Sequence, residues 1–143
     1  MNGYGYQQYK QQSVDTMTSG EMLILLFDGA IRNVTSASLA LQRQDYAAFE
    51  VSIEKTEKII RYLSASLDMK YDISRDLYRL YDYFLYELGR LRAGRRAEII
   101  DELKRMLTEL RDTFKEADRI AANQRSAAHA AHTAQPAHTP VPR

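Results

Sequence analysis

The chain has no cysteine among its 143 residues. That removes disulfides, thiolate nucleophiles and thiolate metal sites together, and is neutral about redox compartment. Histidine is nearly as scarce: the three present, His129, His132 and His138, all fall in the last fifteen residues. The body therefore has no imidazole. Metal sites of the ferritin kind draw a Glu-x-x-His pair from facing helices, and Ser-His or Cys-His devices need the ring as base, so most familiar enzyme plans are excluded. An excess of one charge is also missing. Twenty basic and nineteen acidic residues give a net charge of +1, and no global field points to a nucleic-acid backbone, an anionic membrane or a polyanionic substrate. No apolar run approaches the ~20 residues of a membrane span, and the N-terminus, MNGYGYQQYKQQSV, has neither the basic region nor the apolar stretch of a signal peptide. These absences predict a soluble cytoplasmic protein without membrane insertion, folded as one domain with a core of its own.

What is present is helical periodicity. Thr18-Ser-Gly-Glu21 has the form of a capping box, and Leu23, Phe27, Ala30, Val34, Ala37 and Leu41 follow at alternating spacings of four and three. A second pattern opens after Asp45, a good N-cap, with Phe49, Ile53, Thr56, Ile60, Leu63 and Leu67 on one side. The third begins near Asp72 or Ile73, carries Leu77, Tyr81, Phe84, Leu88 and Leu91, and stops at Gly94. The fourth runs from about Arg96 to Ala122 through Ile100, Leu103, Leu107, Leu110, Phe114, Ala117 and Ala121. Short connections between such seams predict an all-α, antiparallel four-helix bundle over residues 18–122. A helix-exchanged dimer stays open beside the monomer. Residues 1–17 are expected to lack regular helix until close to Thr18. Residues 123–143 have no acid, three prolines and one large apolar residue, Val141, and read as a disordered tail.

The stretch MLILLFDGAI, residues 22–31, is apolar on more sides than one core face needs. At ~100° per residue, Met22, Leu25 and Gly29 cluster away from the seam, and Gly29 predicts a shallow notch where another backbone could approach. The plainer alternative is an N-terminal segment folded over this patch, with Tyr9 and Val14 on it. Tyr78, Tyr81, Tyr83 and Tyr86 stand close together, and only Tyr81 falls on a seam. Ile59 and Tyr62 of the second helix and Met106 of the fourth lie beside or behind theirs. Together these suggest interhelical grooves wide enough for the apolar anchors of a partner helix. Arg90, Arg92, Arg95 and Arg96 bracket one turn and could grip phosphate, or simply complement a helix C-terminus. Glu21 and Asp28 could be imagined as an acid and base, but nothing in the sequence perturbs either, and neither an enzyme nor a cofactor is expected.

The segments SGEMLILLFDGAIRNV (19–34), SLDMKYDISRDLYRLYDYF (66–84) and LRDTFKEA (110–117), in this order, resemble the flagellin-specific export chaperones of the FliS family, as does the spacing of Tyr9 and Val14 before the first helix. The family often has proline where Gly20 stands, tyrosine for Phe27 and tryptophan for Phe114. The resemblance implies an antiparallel four-helix bundle with residues 1–17 as a movable cap. It implies a cytoplasmic chaperone that binds the C-terminal segment of flagellin, blocks its premature polymerisation and delivers it to the flagellar type III export gate, with no cofactor and no nucleic acid. Unliganded, the chain is expected as a monomer or homodimer. The flagellin-binding residues expected on this reading are Tyr9, Val14, Met22, Leu25, Gly29, Ile59, Tyr62, Tyr83 and Met106.

Overall fold

The computed structural model describes residues 17–134. Among them are four helices and no strand: α1 (Ser19–Gln42), α2 (Tyr46–Ala65), α3 (Asp72–Gly94) and α4 (Ala97–Ala134). Each start has a local cause. The Thr18 hydroxyl accepts from the Glu21 amide at 3.1 Å, and Asp45 Oδ1 accepts from the Ala48 amide at 3.1 Å, each filling a donor that the first turn leaves unpaired. α3 has no side-chain cap; instead Ser74, buried in its first turn, donates to the Asp68 carbonyl at 2.7 Å and fastens the helix to the preceding turn. α3 ends on Arg95, whose φ of 52° is left-handed and whose amide reaches the Leu91 carbonyl at 2.7 Å.

The helices form an antiparallel ring in which α1 packs broadly on α2 and α4, while α3 is held more lightly, more by α2 than by α4. The core is the predicted seams. Phe27, Phe49, Ile53, Ile60, Tyr81, Phe84, Leu88, Ile100, Leu103 and Leu107 are essentially inaccessible. Phe27 links three helices through its ring: it stacks on Phe114 of α4 at 5.5 Å and lies 6.4 Å from Tyr81 of α3. By length and mean hydropathy alone α1 could cross a bilayer, contrary to the expectation that no stretch comes close. Its Phe27, Ala30, Val34 and Ala37 are instead buried in the bundle.

Two features of α4 differ from the sequence reading. Ala117, expected on the seam, is exposed, and the half-buried Asp118 takes the inward place. The helix also continues to Ala134, twelve residues beyond its expected end at Ala122. Alanine has the lowest cost of any residue in a helix, and the run AANQRSAAHAAHTA carries the helix outward without packing. Every side chain described from Asn123 to Thr133 is exposed.

Candidate functional site: an apolar groove at one end of the bundle

At the end where α1 begins, the four helices do not close over their last core layer. The result is an open groove of about 670 Å³. Its floor is apolar: Leu23 and Leu26 from α1, Leu63 of the last turn of α2, Leu67 just beyond that helix, Leu77 of α3, and Phe114 of α4. Met17 and Met22 flank the Thr18 cap at the positions of a hydrophobic staple and form one wall. Tyr62, 57% exposed, and Tyr71, 56% exposed, stand opposite. Asp68 is the one charged residue in the lining, and no basic side chain enters it.

Tyr81 sits beneath this groove. Its ring is 1% exposed, packed between Phe27 and Phe84, and burial pushes its phenol up to about 12. Helical side chains lean toward the N-terminus of their own helix, so Tyr81 leans from α3 toward Leu77 and Ser74, which also line the groove.

Of the nine expected binding residues, the groove unites Met22 and Tyr62. Leu25 is exposed but lies outside it, as does Tyr83, whose ring is 6.4 Å from that of Phe84. Gly29 does not form an outward notch. A β-carbon there would lie 3.3 Å from Ile59 Cδ1, so the missing side chain lets α1 and α2 approach, and Ile59 fills the space. Ile59 and Met106 are half-buried against the core. Tyr9 and Val14 lie outside the described residues. The sequence reading missed Leu67, Tyr71, Leu77 and Phe114 as groove residues. Three of these had been given to the seams, and their proximity to the open end of the bundle was the signal available.

The charged alternatives are engaged elsewhere. Arg92 donates to Glu50 at 2.9 Å and pairs with Glu57 at 2.5 Å, tying α3 to α2. Arg90 lies on Glu87, Arg95 sits 3.8 Å over the Tyr46 ring, and Arg96 pairs with Glu98. Each of these four guanidiniums thus has a carboxylate or aromatic partner within the chain. Asp28 accepts from Arg111 at 3.0 Å across α1 and α4, which, with Asp112, holds that guanidinium more basic than usual. Among the described residues no group of three or more histidine or acidic side chains is placed to hold a metal ion.

The described residues thus offer an open, largely apolar groove with Tyr62, Tyr71 and Tyr81 in its lining. The Flagellar protein FliS family matches residues 2–136. The chain belongs to this family. Among FliS relatives, the Flagellar secretion chaperone FliS of Salmonella typhimurium (strain LT2) is 29% identical over 129 residues, covering 85% of this chain and 96% of its own. The Bacillus subtilis (strain 168) protein of the same name is 27% identical over 112 residues, covering 78% and 84% respectively. A solved bacterial flagellar chaperone shares the fold with a TM-score of 0.67 at 21% identity, over 83% of this chain and 98% of that one. All three segments quoted above for the resemblance to FliS contribute to the groove lining: Met22 to Leu26 from the first, Leu67 to Tyr81 from the second, and Phe114 from the third.

Proposed function

We propose that this chain is a cytoplasmic export chaperone that binds the C-terminal segment of flagellin, keeps it from polymerising early and hands it to the flagellar type III export gate. The observation that carries the reading is the apolar groove floored by Leu23, Leu26, Leu67 and Leu77 in a member of the FliS family. An unassembled amphipathic segment leaves apolar anchors in water, where they promote aggregation. A groove that covers them needs neither nucleotide nor covalent chemistry, because buried apolar area offsets the cost of ordering the segment.

On this reading Met22 and Tyr62 take the first anchors of the client. The chain enters the groove wall at Met17, so the preceding cap can bring Tyr9 and Val14 onto the bound segment. Leu25 and Tyr83, exposed outside the groove, would meet further stretches of the same client, while Gly29, Ile59 and Met106 would act by shaping the helix contacts beneath. The free protein is a monomer or homodimer.

Titration calorimetry of the purified chain with the C-terminal peptide of its own flagellin tests this directly. A 1:1 complex is expected, with little dependence on salt, and Tyr62→Ala should weaken it at unchanged thermal stability. No binding, or binding that collapses as salt is raised, would remove an apolar groove as the client site.

A further inference from the structure

We propose that the Tyr81 hydroxyl is a recognition element of the groove, donating a hydrogen bond to an uncharged carbonyl oxygen of the bound client segment. The inference rests on the flagellin reading above and goes beyond it by assigning one polar contact within an apolar site.

Four observations converge on it. The Tyr81 ring is fixed by Phe27 at 6.4 Å and Phe84 at 6.5 Å, with 1% of the residue exposed. The residue lines the groove, and the tilt of α3 side chains sends its hydroxyl toward it. No described group is hydrogen-bonded to the hydroxyl, and its oxygen is not enclosed: among the described residues the one fully enclosed side-chain oxygen without a partner is Glu57 Oε1, while the neighbouring buried hydroxyl of Ser74 is spent on the Asp68 carbonyl. A phenol at the edge of a core of Phe, Leu and Ile keeps its oxygen where water or a client group can reach it, and exchanging that water for a client carbonyl leaves the donor satisfied when the groove is filled. The groove also specifies the partner. Asp68 is its one charged residue, and the nearest cation, Lys70, stands outside the lining, paired with Asp68 at 3.5 Å and set over the Tyr71 ring, so a client carboxylate brought to Tyr81 would be desolvated with no cation of the lining to compensate it. A carbonyl, such as one left free where a client helix ends, carries no such penalty. Burial keeps the phenol protonated throughout the physiological range, and so always a donor.

The test is Tyr81→Phe in the full chain, with two readouts. For the free protein, the thermal midpoint should be unchanged or raised, since the hydroxyl has no internal partner to lose. For binding, the flagellin C-terminal peptide should bind roughly three- to tenfold more weakly, the effect of one neutral hydrogen bond. A lowered midpoint overturns the proposal, because the hydroxyl is then spent within the chain itself. Equal affinity of variant and wild type overturns it while leaving the chaperone reading intact. A wild-type protein that binds no flagellin peptide removes both.

Discussion

Gly20 of α1 and Asp118 of α4 occupy one space: a β-carbon on Gly20 would overlap the Asp118 carboxylate. The Asp118 carboxylate can stand here because Gly20 has no side chain. Helical Gly→Ala normally gains up to about 1 kcal/mol. Here that gain should appear in the Asp118→Ala background and be reduced or abolished in the wild type, where the carboxylate must swing away. Urea midpoints of the four proteins of the double-mutant cycle measure the coupling, and additive effects would contradict the overlap.

Gly29→Leu is expected to destabilise the bundle by ~1–3 kcal/mol, the usual cost of overpacking. Ile59 already lies within 3.3 Å of where the first added carbon would stand. Pairing the change with Ile59→Ala should recover part of the loss. A Gly29→Leu protein as stable as wild type would mean that α1 and α2 can part at this point.

Much of this was legible from the sequence, and the exceptions share a cause. The caps at Thr18 and Asp45 and the seam positions from Phe27 to Val34 follow from residue type and period, which act within one helix. The groove does not. Leu77 and Phe114 have the same period as Leu88 and Leu107, yet the first two line an opening and the latter two are sealed. Which layer of a seam is the last depends on how four helix ends line up, and no single helix encodes that. Gly29 was misplaced for a related reason: a wheel drawn for α1 on one core axis leaves out the second helix that wraps toward its flank. The outward course of α4 is a contest between local propensity and packing, and alanine decides it.

The Tyr81 phenol gives stability an alkaline limit. Burial raises its folded pKa from the ordinary phenol value to about 12. In the unfolded chain it ionises near 10, so between about pH 10 and 12 the unfolded state loses a proton that the folded state keeps, and stability falls as pH rises. The protection is complete below pH 10 and lost through 12, a total of about 2–3 kcal/mol. Denaturation curves for wild type and Tyr81→Phe should converge at neutral pH apart from a constant offset. Above pH 10 they should diverge, with the variant falling less. Parallel curves would place the phenol in water.

Removing residues 124–143 should leave the thermal midpoint unchanged, since the side chains described from Asn123 to Thr133 are exposed and the Thr133 hydroxyl bonds only within α4. Far-UV ellipticity should nonetheless drop, because α4 is helical to Ala134. A lower midpoint would reveal packing by this stretch, and unchanged ellipticity would confine the stable helix to the bundle.

The Arg92 clamp has a mechanical consequence. It pins the C-terminal end of α3 to Glu50 and Glu57 of α2, and the Ser74 hydroxyl fastens the opposite end to the Asp68 carbonyl at 2.7 Å. A helix tied at both ends keeps its register against its neighbours even where its contact with α4 is thin. Ser74 and Leu77 therefore hold fixed positions in the groove lining, to which α1, the helix with the broadest packing, supplies Leu23 and Leu26. The span between them is set in part by the Arg92 ion pairs, which lie outside the groove.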